Sequence, residues 1–128
     1  MRRVKRAPQQ LRQPGSKLIP MSWTSLCDFD ELTEGHGKYV EIGGFQLAVF
    51  LTEGKVYVTD NTCPHAGHSL SGGRIEAGCV ICPWHAWTFH LDNGQLRDAP
   101  GVTITTYRIR LIEPAGRPKL VQADLPIY

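Results

Sequence analysis

The chain has 128 residues, of which 41% are hydrophobic and 20% charged, a composition ordinary for one soluble globular domain with a single core. No apolar run approaches the ~20 residues that a membrane-spanning helix needs, so the sequence predicts no membrane span. Six basic and no acidic residues lie in residues 1–20, which makes the formal net charge of +2 uneven. The other eight basic and all 12 acidic residues lie in residues 21–128, and this mildly acidic body argues against nucleic-acid binding.

The first twenty residues, MRRVKRAPQQLRQPGSKLIP, form a basic segment without the apolar stretch of a secretory signal. We expect a flexible N-terminal extension, and an organelle-targeting segment and a basic docking arm are the alternatives. Without a secretory signal, the four cysteines favour a metal or redox role over a disulfide framework. The sequence therefore predicts a cytoplasmic protein whose folded domain covers residues 21–128.

From residue 21 on, the pattern predicts β-strands. The runs KYVEI and FQLAVFLT flank the pair Gly43–Gly44, which is a strong signal for a tight hairpin. The strand-like run VYVTD follows the turn EGK. The segment DFDEL is at most one helical turn, because TEGHGK interrupts it.

The second half of the chain continues the same pattern. In WTFHL, Trp87, Phe89 and Leu91 alternate with Thr88 and His90, which predicts a strand with an apolar and a polar face. The turn in DNGQL leads to VTITTYRIRLIE, which is one or two strands, and KLVQA is a short closing strand. About eight short strands with glycine-rich turns predict an all-β fold, a small antiparallel β-sandwich or open barrel.

The candidate ligands are concentrated in two segments, NTCPHAGHSL and CVICPWHAWTF. The first contains Cys63-x-His65, and the second, after 16 intervening residues, contains Cys82-x-x-His85. Two thiolates and two imidazoles can hold either Zn²⁺ or a [2Fe–2S] cluster. A proline directly after each cysteine stiffens both loops, and Gly67 is expected to let the backbone approach inorganic sulfide closely. No helix pattern follows either segment, as the histidines of zinc fingers usually require, so the pattern favours the cluster over zinc.

These segments resemble the two cluster loops of the Rieske [2Fe–2S] family, in particular the soluble Rieske-type ferredoxins and the small-subunit-like proteins of NAD(P)H nitrite reductases. The resemblance covers about residues 21–122. It is carried by VYVTDNTCPH, by GGRIEAGCVICPWH and by an F-x-L-x-x-G pattern that starts at Phe89. It implies a basal antiparallel β-fold with a small cluster-binding subdomain, here about residues 61–100.

The resemblance also implies the ligand set, with Cys63 and Cys82 on the inner iron and His65 and His85 on the outer iron. Two non-equivalent loops would then give one ligand to each iron, which accounts for their different spacings. With neutral imidazoles the oxidised cluster carries no formal charge, whereas four thiolates would leave two negative charges. Adding an electron to the neutral unit costs less, so histidine ligation raises the reduction potential.

The residues around the ligands predict where in the family range the potential lies. High-potential respiratory Rieske proteins carry an extra cysteine in each loop, joined as a disulfide, and hydroxyls that bond the cluster sulfurs. The corresponding positions here are His68 and Trp84 for the disulfide, and Trp87 and Phe89 for the hydroxyls. We therefore predict a potential at the low end of the range, about −150 mV. Outer-iron histidines near solvent are expected to make the potential fall with rising pH.

Other cysteines and histidines are given structural or passive roles. Cys79 and Cys82 form a C-x-x-C pair without the βαβ context of a thiol redox motif, so Cys79, like Cys27, is expected to pack as a small hydrophobic residue. A solvent-facing role is expected for His68, with tuning of the cluster surroundings as the alternative. Both His36 and His90 are expected to be inert.

Three aromatic residues and one proline complete the candidates. Trp84 is expected to shield the cluster or to contact a partner. Trp87 and Phe89 are expected to be core residues that keep water from the sulfides. Pro100, in DAPG, resembles the proline-bearing third loop that covers the cluster in the family.

Two functions follow from the resemblance. The first is a one-electron carrier, not itself catalytic, that takes electrons from a flavin-type reductase and delivers them to a terminal oxygenase or a similar enzyme. Its mildly acidic body suits transient, salt-sensitive encounters. The second is the small subunit of an NAD(P)H-dependent oxidoreductase such as nitrite reductase. A complete Rieske oxygenase is not expected at this length, because its mononuclear iron site requires a second domain.

Overall fold

The computed structural model describes residues 21–64, 67–83, 86–99 and 101–126, so the N-terminal extension lies outside it. In these ranges the chain forms ten strands and two short 3₁₀ turns, at Phe29–Glu31 and Leu70–Gly72. The strands are β1 (Met21–Asp28), β2 (His36–Ile42), β3 (Phe45–Thr52), β4 (Lys55–Asp60), β5 (Arg74–Glu76), β6 (Cys79–Ile81), β7 (Thr88–His90), β8 (Thr106–Tyr107), β9 (Ile109–Ile112) and β10 (Leu120–Pro126). The predicted all-β fold is confirmed. Within the described ranges, no helix is long and apolar enough to cross a membrane.

The strands form three antiparallel sheets. Two basal sheets have the strand orders β1-β10-β9 and β2-β3-β4-β8, and a small third sheet has the order β5-β6-β7. Because β10 pairs along its length with β1 and also with β9, the segment KLVQA is not a short closing strand. It begins the central strand of its sheet, which has a neighbour on each side.

Strand β3 lies between two hydrophobic cores, as its continuous apolar run LAVFL requires. Alternate side chains of a strand point to opposite faces, so Ala48 and Phe50 enter one core while Leu47, Val49 and Leu51 enter the other. We call the first the site-side core; its buried members are Ala48, Phe50, Cys63, Leu70, Val80, Cys82, Phe89, Leu91, Leu96 and Ile104. The basal core comprises Cys27, Leu47, Val49, Leu51, Val56, Val58, Val121, Ala123 and Leu125.

The segment VTITTYRIRLIE forms two strands that belong to different basal sheets, because β8 pairs with β4 and β9 pairs with β10. The chain crosses between the sheets at Arg108. The Nη2 atom of Arg108 donates to Oδ2 of Asp124 at 2.5 Å, and Asp124 is only 2% exposed. A partly exposed arginine therefore supplies the counter-charge of a buried carboxylate where the two sheets meet.

Strands β5 and β6 of the third sheet are the part of the fold that local patterns did not predict, whereas β7 lies in the predicted strand WTFHL. The hairpin between β5 and β6 turns through Ala77 and Gly78, with φ values of +52° and +77°, as a type I′ turn requires. Strands of three residues are too short to show a period of two, so pairing between them is the only signal. The hairpin places Cys82 directly after β6.

Candidate metal centre

The first ligand loop, residues 63–68, follows β4 and is closed at its root by hydrogen bonds. An isolated bridge pairs Thr62 with Ser69 on either side of it. The backbone N–H of Cys63 donates to the carbonyl oxygen of His68 at 2.8 Å, and the N–H of Gly67 donates to the carbonyl oxygen of Cys63 at 2.8 Å. The cysteine is therefore fixed at the entrance of a tight six-residue turn.

The second ligand loop, residues 82–87, has the same construction. It follows β6, and its flanking residues Ile81 and Thr88 are paired across β6 and β7. The backbone N–H of Cys82 donates to the carbonyl oxygen of Trp87 at 2.7 Å. In both loops the first of six residues is the cysteine, and it is bonded to the sixth. The motifs Cys63-x-His65 and Cys82-x-x-His85 therefore differ in spacing, but both belong to loops of six residues.

The fifth residue of each loop has a left-handed backbone conformation. It is Gly67 in the first loop, with φ +73°, and Ala86 in the second, with φ +57°. Glycine adopts this conformation without a Cβ clash, whereas for alanine it costs about 1–2 kcal/mol. No described atom lies within 4 Å of a Cβ built on Gly67, so its backbone angle alone demands glycine. Close approach of Gly67 to inorganic sulfide stays a prediction.

Both cysteines lie deep in the site-side core. Cys63 is 0% and Cys82 1% exposed, and the residues seven positions after them, Leu70 and Phe89, are also fully buried. A thiolate in apolar surroundings is stable only with a compensating cation. All four cysteines are buried, and what distinguishes Cys63 and Cys82 from Cys27 and Cys79 is their place at the roots of two loops of equal length.

The structure describes only half of the predicted ligand set. It brings Cys63 and Cys82 into one core. His65 and His85 lie outside the described residues, as do Trp84 and Pro100. The assignment of all four ligands stays a prediction.

A buried amide that sequence reasoning missed holds the root of the first loop. The Oδ1 atom of Asn61 accepts hydrogen bonds from the N–H of Ser71 at 2.9 Å and from the hydroxyl of Ser69 at 3.2 Å. Its Nδ2 lies 3.0 Å from the same hydroxyl. The backbone of Asn61 also accepts from Leu70 N–H at 2.6 Å. An asparagine two residues before the cysteine was the available signal, since asparagine commonly bonds backbone groups in turns.

A third loop packs beside the second ligand loop. The N–H of Leu96 donates to the carbonyl oxygen of Val102 at 2.9 Å and closes this loop, and the N–H of Arg97 donates to the carbonyl oxygen of Thr88 at 2.8 Å. A cleft of about 330 Å³ lies between the two loops. The third loop covers Thr88, which is therefore buried, although the strand pattern had placed this residue on a polar face.

The predicted core role of the two aromatic residues of this region is confirmed. Phe89 is fully buried and Trp87 packs partly buried against the same core, with their ring centroids 6.5 Å apart. The hydroxyl between them, on Thr88, donates to the carbonyl oxygen of Ala86 at 3.0 Å. The single hydroxyl of residues 86–90 is thus bonded to the loop backbone.

Cys79 and His90 form a pair that was not expected. Cys79 is buried, as predicted, but its Sγ lies 3.4 Å from Nδ1 of His90, directly opposite on β7. Burial raises the pKa of the Cys79 thiol, an effect that the charge of Arg97 reduces. The thiol and the imidazole nitrogen share this hydrogen bond, and the tautomer of His90 decides which of them donates. The cross-strand register was the missing signal.

The remaining candidates lie as the sequence suggested. Cys27 is buried in the basal core, and burial raises the pKa of its thiol to about 11. His36 is exposed at the start of β2, and His68 is partly exposed. Cys27 and His36 lie outside both ligand loops, whereas His68 is the sixth residue of the first loop and its carbonyl oxygen closes the root.

Comparison with known proteins confirms the resemblance that the two loops predict. The Rieske [2Fe–2S] domain description matches residues 22–108. Over 85 residues the chain is 39% identical to the Xenopus laevis cholesterol 7-desaturase nvd, covering 65% of this chain and 19% of that protein. Over 94 residues it is 30% identical to the Pseudomonas putida naphthalene 1,2-dioxygenase system ferredoxin component, covering 73% and 90%. The chain thus spans about a fifth of the desaturases but most of the ferredoxin component.

Solved structures share the fold. The Sphingomonas yanoikuyae B1 ferredoxin superposes with a TM-score of 0.71 at 29% identity, covering 82% of this chain and all of the ferredoxin. A candidate NADH-dependent nitrite reductase small subunit from Mycobacterium tuberculosis gives 0.70 at 30% identity, covering 81% and 95%. A chain from the complex of reduced oxygenase and oxidized ferredoxin in carbazole 1,9a-dioxygenase gives 0.66 at 25%, covering 79% and 91%.

The cofactor of this domain is a [2Fe–2S] cluster, and the described residues fit it. Thiolate ligands suit iron–sulfur clusters, and the two loop cysteines are buried where an apolar core excludes water. The first residues of the two loops, Cys63 and Cys82, both belong to the site-side core. A donor set of two cysteines and, as predicted, two histidines has the composition that such a cluster requires.

Proposed function

The chain belongs to the Rieske [2Fe–2S] domain family, and on that premise we propose that it is a one-electron carrier of the Rieske ferredoxin type. In this role it takes single electrons from a flavin-type reductase and delivers them to a terminal oxygenase or a similar oxidoreductase. The bound cluster supplies the one-electron chemistry. The protein performs no bond-making step of its own.

One observation carries this proposal. The chain matches small ferredoxin components over 90% or more of their length, whereas it matches cholesterol 7-desaturases over 18–20% of theirs. Such a match supports a domain that works as an electron carrier.

We further propose the ligand assignment. Cys63 and Cys82 hold the inner iron, and His65 and His85 hold the outer one. The burial of both cysteines supports their place at the inner end. The fully buried Leu70 is well placed to exclude water there, since desolvation of the inner thiolates affects the potential.

The second loop also supports a low potential. Trp87 and Phe89 occupy the positions where high-potential relatives are expected to carry hydroxyls, and the hydroxyl of Thr88 is bonded to Ala86. Fewer hydrogen bonds to the sulfurs leave the reduced, more negative state less stabilised. A low-potential carrier suits a donor that draws electrons from a nicotinamide through a flavin.

The partners and the cellular location follow by analogy. The carbazole dioxygenase complex contains an oxygenase and a ferredoxin, and we propose the same class of acceptor here. The excess of acidic over basic residues in residues 21–128 suits basic patches on the partners. We propose a cytoplasmic location, in keeping with the proposed reductase and oxygenase partners.

The second candidate is the small subunit of an NADH-dependent nitrite reductase. The Mycobacterium tuberculosis structure favours it, because that chain matches as well as the ferredoxins do. In that case the protein would copurify in a stable complex with a large subunit, whereas a carrier dissociates after each encounter.

The test is electron delivery by the purified, cluster-loaded chain. The reduced protein is mixed anaerobically with an oxidised naphthalene dioxygenase-type oxygenase, and oxidation of its visible absorption is followed by stopped flow. We expect transfer within seconds that slows at high salt. The control is a Cys63→Ala variant, which holds no cluster and transfers nothing. Absence of iron and acid-labile sulfide from the reconstituted wild type would refute the proposal.

A further inference from the structure

The hydroxyl of Thr88 ties together the strained end of the second ligand loop. Thr88 is 4% exposed, its Oγ1 donates to the carbonyl oxygen of Ala86 at 3.0 Å, and its own carbonyl accepts from Arg97. We propose that Thr88 is a positioning residue whose hydroxyl holds Ala86 in the left-handed conformation and so fixes the loop that carries Cys82 and His85. This inference rests on the proposed function, since it concerns the same ligand loop.

The first ligand loop provides an internal comparison. Its left-handed fifth residue is Gly67, which needs no support. The residue equivalent to Thr88 is Ser69, six positions after the cysteine, and its hydroxyl bonds Asn61 and Ser71 instead. The hydroxyl clamp is thus found in the loop whose left-handed residue is an alanine.

The physical reason is the cost of a left-handed alanine. Its Cβ lies too close to the following carbonyl, so the free chain at Ala86 would favour a right-handed or extended conformation. A partly buried hydrogen bond to the carbonyl of that same residue opposes the change. The closing bond between Cys82 and Trp87, at 2.7 Å, spans this residue and depends on its angles.

Loss of the hydroxyl therefore has a local effect. The second ligand loop would sample more than one conformation, while the paired strands β6 and β7 stay in register. Ligand geometry at the metal centre would then vary from molecule to molecule. Such variation broadens the EPR lines of the reduced cluster and shortens the time for which iron is retained.

Four variants of the cluster-loaded full chain test this. Thr88→Val removes the hydroxyl at constant size, Thr88→Ser keeps the hydroxyl, Ala86→Gly removes the strain, and the last combines Thr88→Val with Ala86→Gly. Two quantities are measured, the EPR line widths after dithionite reduction and the rate of iron transfer to a bathophenanthroline chelator. We expect Thr88→Val to lose iron about five- to tenfold faster, as loss of one hydrogen bond allows, with broader lines. Thr88→Ser and the double variant should stay within about twofold of the wild type, on the scale of the same bond.

The outcomes separate a positioning role from simple packing. Unchanged line widths and iron loss in Thr88→Val overturn the inference. Faster loss that Ala86→Gly does not rescue also overturns it, because the hydroxyl would then act elsewhere. If Thr88→Val alone fails to fold, recovery of a folded, cluster-loaded double variant supports the inference and its failure to fold counts against it. If the wild type holds no iron, the proposed function itself is refuted. If the wild type holds its cluster and Thr88→Val has the same line widths and rate of iron loss, only the role of Thr88 is refuted.

Discussion

Cys79 Sγ lies 3.4 Å from Nδ1 of His90, directly across the β6–β7 pair and three residues before Cys82. From the sequence, Cys79 is expected to pack as a small hydrophobic residue and His90 to be inert. Together they form a hydrogen bond across β6 and β7, the two strands that flank the second ligand loop. The C-x-x-C motif therefore contains one structural cysteine, Cys79, and one proposed ligand, Cys82.

The two cysteines of the C-x-x-C motif, Cys79 and Cys82, should respond differently to substitution. We expect Cys79→Ala to keep the full iron content and to lower the free energy of unfolding by about 1–2 kcal/mol, from a lost hydrogen bond and a small cavity. Cys82→Ala should lose the iron. Iron and labile sulfide analysis together with urea denaturation checks both. Loss of iron from Cys79→Ala at normal stability would contradict the assignment.

Cys27 predicts a stability change at alkaline pH. Burial, with a smaller effect from Glu31, raises the pKa of this thiol from 9.0 to about 11, so the folded state holds its proton where the unfolded chain releases it. The stabilisation is complete below pH 9 and is lost as the pH rises through 11. Its size is about 2 kcal/mol.

The measurement is urea denaturation of the wild type and of Cys27→Val from pH 8 to 11.5. The difference in unfolding free energy between them should shift by that amount in favour of the variant across this range. Other groups titrate equally in both proteins and cancel. A difference that stays constant with pH would show that this thiol is not linked to folding.

Much of this fold could be read from the sequence, and the parts that could not have a common cause. The two strands on either side of Gly43–Gly44 and their tight hairpin are predicted correctly, because strand-like runs and a Gly-Gly turn are properties of local residues. The left-handed angle of Ala86 has no local signal, since alanine does not favour it. The burial of Thr88 likewise comes from a loop nine residues further along the chain.

The short strands β5 and β6 show the same limit. Three residues cannot display a period, so their existence depends on the turn at Ala77 and Gly78 and on their partners in space. The pair of Cys79 and His90 is likewise visible only once the register is known. Long-range pairing, and not composition, decides these features.

Two glycines separate the cost of a backbone angle from the cost of a close approach. Gly94 and Gly78 have nearly equal φ values, +79° and +77°. A Cβ on Gly94 would clash with the carbonyl oxygen of Ile104, whereas one on Gly78 meets no atom within 4 Å. We expect Gly78→Ala to cost about 1 kcal/mol and Gly94→Ala at least about 3 kcal/mol. Thermal unfolding of the two variants measures the difference, and equal costs would show that the backbone yields at Gly94.

The reduction potential is the most direct test of the surroundings of the proposed cluster. Phe89 is fully buried and offers no hydroxyl, and the Thr88 hydroxyl is bonded to Ala86, so the sulfurs gain little stabilisation when the cluster is reduced. We expect a value of about −150 mV by spectroelectrochemical titration at pH 7. Phe89→Tyr adds a hydroxyl and should raise the potential, while Phe89→Leu, the control, adds none and should not. A wild-type value above about +100 mV would mean that donors outside this loop stabilise the reduced state.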